Sequence, residues 1–300
     1  MTCLLAGTYN ITILTSDKVS KNVDALHDTT QQVHQGVGAL QMKENMNRIT
    51  KWLSAPDPSI NHNEASKRHH DGTGLWFVHG GAFKEWKKQT RSFLWLHGIP
   101  GCGKTVLSST IIEHLKQELT SQPLLYFYFD FNDGNKQSLD DLLRSLVDQI
   151  CQARPDSQQS LERSWASHGE GSQQPSTDSL QSLLKSMLRG VGRVTILLDA
   201  LDESKPRDEL LAWLKSLFES TQIVCRLLIT ARREVDIESA LQCWTHDEDR
   251  IPIQQDEVNK DISAYVKDKL RNGDELRRWR TRPDLQDEIE VKLTKQAGGM

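Results

Sequence analysis

The 300-residue chain has only five cysteines, Cys3, Cys102, Cys151, Cys225 and Cys243, scattered and never arranged as a C-x-x-C pair. Their odd number and wide spacing argue against a disulfide framework or a cysteine-based zinc site and fit a reducing compartment. Long apolar runs are missing too: no stretch approaches the roughly 18 apolar residues that a membrane helix needs. Residues 1–15 are mildly apolar but lack a basic n-region, and Thr and Asn interrupt them, so they do not read as a secretory leader. The expected location is cytoplasmic, with no membrane segment. An excess of positive charge is also absent, with 37 Lys and Arg against 41 Asp and Glu and a formal net charge of −4. No global basic field is left to attract DNA or RNA phosphates, so no nucleic-acid partner is expected.

What is present suits one good core with a wet surface: 37% hydrophobic residues, 26% charged residues and a mean hydropathy of −0.56. The length allows one large α/β domain plus a smaller appendage. Residues 1–22 read as a frayed or short β-like start. From Val23 a heptad-like spacing runs through Leu26, Thr30, Val33, Val37 and Leu40, then shifts phase to Met42, Met46, Ile49 and Leu53. That pattern predicts one or two amphipathic helices, serving either self-association or packing on the next domain. Residues 55–73 are polar and rich in turn formers, which predicts a linker or loop. His69 and His70 fall there without a cysteine or acidic cluster beside them, and read as solvent-exposed loop histidines rather than metal ligands.

Beyond residue 92 the punctuation becomes regular. Short apolar runs at 93–97, 124–131, 194–200, 227–230 and 250–254 read as strands. Helical periods occupy 104–119, 139–151, 179–189, 209–218 and 235–241, while the Gln/Ser/Gly-rich stretch 152–176 reads as an exposed excursion. Strands that are continuously apolar are buried on both faces, and alternation with helices makes their sheet parallel. After residue 255, Val258, Ile262, Tyr265, Val266 and Leu270 mark one helix, and Leu285, Ile289 and Leu293 another. This helical module stops at Ala297-Gly-Gly-Met300, where the chain reads as cut.

Between the first strand and its helix, Gly98, Ile99, Pro100, Gly101, Cys102, Gly103, Lys104 and Thr105 fit G-x-x-x-x-G-K-[ST] at every fixed position. The chemistry demands these types. Successive backbone N–H groups must approach phosphate oxygens, which needs glycine where a Cβ would clash or φ is positive. The loop, with Val106 after it, feeds a helix start whose partial positive charge faces the phosphates. Lys104 supplies a cation for the β- and γ-phosphates, and the Thr105 hydroxyl is placed to ligate Mg²⁺. A chance match is expected in roughly one 300-residue chain in a hundred, and here the motif also sits between a strand and an amphipathic helix. Cys102 fills a small-residue slot.

A second apolar strand ends in Asp199-Ala-Leu-Asp202-Glu203. In P-loop proteins an acidic residue at the end of a neighbouring strand holds Mg²⁺, and Asp199 occupies that position. Asp202 and Glu203 lie just past the strand tip, where one of them can polarise an attacking water. The next strand ends in Thr230-Ala-Arg-Arg233, with Arg232 favoured over Arg233 to sense the γ-phosphate. The expected fold is an α/β P-loop NTPase three-layer sandwich with a central, mainly parallel five-stranded sheet. It is flanked by an N-terminal helical segment and a partial C-terminal helical module. The expected division is 1–54, 55–92, 93–254 and 255–300.

Several blocks in order resemble the NACHT branch of signal-transducing P-loop NTPases, in particular its fungal heterokaryon-incompatibility-type members. They are Trp52-Leu-Ser-Ala-Pro56, Gly72-Thr-Gly-Leu-Trp-Phe77 with Phe83 and Trp86, residues 94–107, residues 197–203, Ile229-Thr-Ala-Arg232 and Asp261-Ile-Ser-Ala-Tyr-Val266. The resemblance spans roughly residues 45–300. It implies a switch that exchanges a diphosphate for ATP or GTP with Mg²⁺, self-oligomerises in the triphosphate state, and signals to an upstream effector, with downstream repeats doing the sensing. It also implies a nucleotide-covering role for residues 72–77, although Trp76, Phe83, Trp86 and Trp95 equally suit core packing. The family usually has Ser and Pro where this chain has Ala231 and Arg233. Its winged-helix region and repeats are not in this sequence, and residues 1–45 match no effector.

Two other function classes compete. A nucleotide kinase or AAA-type motor needs lid arginines or an arginine finger; Arg189, Arg193 and Arg207 are available, but nothing singles one out. A nucleotide-binding scaffold without turnover is the other alternative. The base is open between adenine and guanine, since no N-K-x-D motif is present.

Overall fold

The protein's computed structural model describes residues 2–70, 72–253, 255–272 and 283–297. The Val23 side chain of the expected heptad, Gln254 at the end of the expected last strand, and residues 298–300 lie outside the described residues. The chain divides into two compact units, residues 1–52 and 53–300.

The first unit is one helix, α1 (Thr2–Leu53). Neither the β-like start at 1–22 nor a break at the phase shift near Met42 is observed. β-Branched and aromatic residues each cost a helix at most ~0.7 kcal/mol relative to Ala, and no proline occurs before Pro56 to stop it. Leu26, Val33, Val37 and Leu40 are all exposed along α1.

The second unit begins with α2 (Ser59–Arg68), α3 (Leu75–Val78) and α4 (Gly81–Lys88). Then β1 (Ser92–His97), α5 (Lys104–Glu118), β2 (Leu124–Tyr128), α6 (Leu139–Ala153), α7 (Gln158–Ser167) and α8 (Thr177–Val191) follow. The chain continues through β3 (Arg193–Asp199), α9 (Arg207–Phe218), β4 (Val224–Ala231), α10 (Val235–Gln242) and β5 (Arg250–Pro252). It closes with α11 (Gln255–Asn272) and α12 (Pro283–Ala297).

The five strands form one sheet in the order β2-β3-β4-β1-β5, and every pairing is parallel. The continuous apolar runs are buried on both faces because helices cover both. Leu94 and Leu96 of β1 join Leu197, Leu228 and Tyr128 in a core with Phe83 and Trp86 of α4 and Leu107, Ile111 and Leu115 of α5. On the opposite face of β1, Phe93 meets Phe218 of α9 and Trp244 edge-on, with centroids 6.0 and 4.9 Å apart. Phe83, Trp86 and Trp95 are thus core residues.

Two stretches expected as loops are partly helical. Within 55–73, α2 is held because buried His62 accepts or donates at both ring nitrogens, to Tyr128 Oη (2.9 Å) and Glu113 Oε1 (2.6 Å). Its start is stabilised by the Asp57 carboxylate, which accepts from Ser59 N–H at 2.8 Å. Within 152–176, α7 buries Leu161 and Trp165, an i, i+4 pair on one face amid polar sequence. His69 and His70 are half-buried rather than solvated, with His69 Nε2 3.1 Å from Thr73 O and His70 Nε2 3.3 Å from Asp268.

Candidate nucleotide site

The glycine loop joins β1 to α5 at the carboxyl edge of the sheet, the edge where open α/β sheets bind ligands. Gly101 and Gly103 take positive φ (78° and 83°), and Gly103 is the residue on which α5 starts. A Cβ-bearing residue pays strain there, so the spacing of glycines in the motif is a backbone requirement. No side chain caps α5. Its first N–H groups therefore have no intrahelical acceptor and remain for an anion. Lys104 curls back over the loop and donates to Gly98 O and Ile99 O, each at 2.9 Å. Cys102 Sγ lies 3.9 Å from the Lys104 ammonium, and burial pushes that thiol up.

Asp199 ends β3 inside the protein. Its carboxylate accepts from three hydroxyls: Thr105 at 2.7 Å, Ser108 at 2.6 Å and Thr230 at 2.6 Å. Burial raises its pKa, and the three hydroxyls oppose that rise. The Thr230 hydroxyl also accepts from Ala200 N–H at 3.0 Å, at a left-handed residue (φ 54°) that turns the chain sharply after the strand. Asp199 does not lie on the strand beside β1, as expected. β4 intervenes, and its Thr230 bridges the gap. Sequence order cannot reveal strand order, and Ser108 and Thr230 were therefore not anticipated as Asp199 partners. Their only sequence signal is one further helical turn after Thr105 and the carboxyl end of the next strand.

The acidic pair past the tip splits in role. Asp202 is buried and fully engaged, accepting from Arg232 N–H (2.9 Å) and pairing with Arg232 Nε (3.0 Å). Glu203 is half-buried, and its carboxylate accepts from Phe131 N–H at 3.0 Å. Burial raises the Glu203 pKa, helped by the charges of Asp202, Asp130 and Asp199. Arg233 turns instead to Glu238, at 2.7 Å, which separates the two arginines that the sequence left ambiguous. Arg207 is taken up by Glu234 and Asp236.

Beside the loop lies a largely apolar cavity of about 320 Å³. Arg68 of α2 lines it, and Gly101, Cys102, Gly103, Val106 and Leu107 form its end at the glycine loop. Thr73, Gly74 and Trp76 come from the segment before the loop, Ile253 follows β5, and Val258, Asp261, Ile262 and Tyr265 come from α11. Trp76 thus lines the cavity, whereas Phe77 next to it is core. Asp261, Ile262 and Tyr265 belong to the block that resembles the NACHT family, whereas Val258 precedes it, and nothing in their pattern shows that they face the loop.

The donor set fits Mg²⁺. A hydroxyl and a carboxylate, both hard oxygen ligands, already meet at Thr105 and Asp199. Among the described residues no group of three or more His, Cys, Asp or Glu side chains is placed to hold a metal unaided. A P-loop site needs none, because substrate phosphates complete the shell.

The family model for nephrocystin 3, N-terminal, matches residues 72–232, more than half of the chain and the whole of this loop-to-arginine arrangement. The chain belongs to the nephrocystin 3 N-terminal family. The chain is also 23% identical over 201 residues to the vegetative incompatibility protein HET-E-1 of Podospora anserina, covering 65% of this chain and 15% of that protein. The expected likeness to fungal NACHT proteins of the incompatibility type therefore holds. Among solved structures, a DNA replication initiation factor is 13% identical with a TM-score of 0.40, over 77% of this chain and 61% of that one. The ORC2 protein of Aeropyrum pernix, solved as ADPNP–ADP complexes, is 11% identical with a TM-score of 0.36, over 66% and 52%. This nephrocystin 3 N-terminal family member is NACHT-like and has the α/β fold of P-loop NTPases. No helix among its described residues is long and apolar enough to cross a membrane.

Proposed function

We propose that the protein is a nucleotide-driven signalling switch that binds ATP or GTP with Mg²⁺, hydrolyses it slowly, and self-associates in the triphosphate state. One observation carries the reading: the Thr105 hydroxyl at the start of the P-loop helix donates to the Asp199 carboxylate at 2.7 Å. The two oxygens are poised to share one ion. Mg²⁺, when bound, neutralises charge on the β- and γ-phosphates.

The chain's own groups supply the rest. The uncapped start of α5 and the positive-φ glycines present N–H groups to phosphate. Lys104, held by two loop carbonyls, exchanges those acceptors for phosphate oxygens. Glu203 takes the proton from the attacking water, and burial raises its pKa, the direction that makes the carboxylate a stronger base. Asp202 holds the Arg232 guanidinium through its ion pair, and Arg232 senses the γ-phosphate. A role in non-self recognition or programmed cell death follows the likeness to a vegetative incompatibility protein. The upstream effector and downstream repeats implied by that likeness are candidate partners.

Titration calorimetry with Mg²⁺ and triphosphate tests the core of this. Lys104→Ala is expected to abolish measurable binding, and unchanged affinity in that variant would refute the assignment. The nucleotide that survives purification identifies the base. An intact triphosphate recovered after long incubation favours the scaffold alternative.

A further inference from the structure

The cavity beside the glycine loop is closed on one side by α11, and two carboxylates tie that helix down. Asp261 Oδ2 accepts from Gly74 N–H at 2.9 Å and from the Trp76 indole N–H at 3.2 Å. Two turns later Asp268 meets His70 Nε2 at 3.3 Å. Between them Tyr265 sets its ring edge-on to His70, with centroids 6.2 Å apart at 83°. Positions i, i+4 and i+7 share one helical face, and here that face is directed at the segment before the loop. The segment in turn leans on the P-loop helix. Gly74 has φ 75°, and a Cβ on it would stand 2.9 Å from Leu107 Cδ1 of α5.

The wiring accounts for a carboxylate in a mainly apolar wall, whose other charged side chain is Arg68 of α2. Half-burying a carboxyl group beside Val106, Ile253, Val258 and Ile262 costs free energy unless donors face it. Both donors on Asp261 Oδ2 belong to the segment across the cavity, and neither belongs to α11 itself. Opening α11 away from that segment breaks both bonds at once and exposes the cavity. Charge-assisted hydrogen bonds of this kind hold more strongly than neutral ones.

We propose that Asp261 is a positioning residue that latches α11 over the nucleotide, so that its two hydrogen bonds set how fast nucleotide leaves. The proposal rests on the nucleotide reading above and adds a release step to it. It makes Asp261 a fastener of protein to protein rather than a reader of the base. Release of ATP and of GTP should therefore respond alike.

Stopped-flow release of N-methylanthraniloyl-ATP and -GTP from the full chain tests this, with tripolyphosphate affinity as the control. Asp261→Ala should speed release of both nucleotides by about 10- to 100-fold, the loss of two charge-assisted bonds, with a much smaller change in association rate. Tripolyphosphate engages only the cradle, so its affinity should not move. Trp76→Phe, which removes one donor and keeps the ring, should give a smaller acceleration that vanishes when Asp261 is already Ala. Asp261→Asn should fall between wild type and Ala, and it keeps the test decisive if the Ala variant does not fold. Unchanged release in Asp261→Asn and Trp76→Phe overturns the latch. So does acceleration confined to GTP, which makes Asp261 a base reader, or an equal loss of tripolyphosphate affinity, which signals general loosening. Wild-type protein that takes up neither nucleotide sinks the nucleotide reading itself. Wild-type uptake with unaltered release in the variants sinks the latch alone.

Discussion

The two ends of the candidate site are built in opposite ways. The phosphate end is polar, and most of it comes from one unbroken stretch, residues 98–108, met by the tips of β3 and β4. The cavity beside it is mainly apolar and drawn from separated places: Arg68 of α2, the segment before the loop, the loop and the start of α5, the residue after β5, and one face of α11. Phosphate chemistry fixes backbone geometry over a few residues, so it leaves a dense local signature. Enclosing a ring system needs only apolar surface of the right shape, which any region of the chain can lend.

The sharpest way to separate the ends is through Glu203. Glu203→Gln should keep triphosphate affinity and lose turnover by about 10²- to 10⁴-fold, the usual worth of a general base; a phosphate-release assay beside calorimetry reads both. In the wild type, turnover should fall as pH drops through the Glu203 pKa, which burial and three neighbouring carboxylates lift above the ordinary glutamate range. Persistent hydrolysis in the Gln variant would move the water-activating role elsewhere.

Asp199→Asn should come next in size, weakening Mg²⁺-triphosphate binding by about 10- to 100-fold through loss of a charged ligand. Its effect on the empty protein has the other sign. A carboxyl whose folded pKa is raised holds more protons folded than unfolded, so stability falls as pH rises from the ordinary Asp range through the raised value. An Asn escapes that loss, and its amide offers groups to the same three hydroxyls. Thermal unfolding at neutral pH without nucleotide should show the variant no less stable than wild type, while the nucleotide-induced rise in Tm disappears.

The cavity end should respond more gently. Gly74→Ala forces a Cβ into positive φ and against Leu107, a strain of about 1 kcal/mol that should weaken nucleotide binding several-fold with little change in turnover of bound nucleotide. Smallest of all is Arg233→Ala: its ion pair with Glu238 is exposed, so binding should not change measurably, whereas Arg232→Ala frees buried Asp202 and should slow hydrolysis. Equal effects of the two substitutions, in a side-by-side hydrolysis assay, would undo the distinction between them.

The same contrast explains what could be read from residues alone. The cradle, Asp199 and the Asp-Glu pair were legible because each sits in a short pattern with a chemical reason for every position. The strands were legible as continuous apolar runs, and their parallel pairing followed from the alternation with helices. Strand order was not, because nothing in β1 or β3 tells that β4 lies between them. α2 and α7 were missed since their composition is polar and their helicity depends on single buried anchors, His62 in one, Leu161 and Trp165 in the other. The β-like reading of residues 1–22 failed because weak local preferences do not outweigh an uninterrupted helix.

The place of β4 has a mechanical consequence. Thr230 near its tip holds the metal-side carboxylate, Ala231 O accepts from the first loop residue, Gly98, at 3.3 Å, and Arg232 just beyond it grips Asp202. Three consecutive residues at the end of β4 thus touch Asp199, the glycine loop and Asp202. A displacement of β4 by a fraction of an ångström cannot retune one of the three without disturbing the other two, so the proposed binding and hydrolysis steps would be geared to the same shaft.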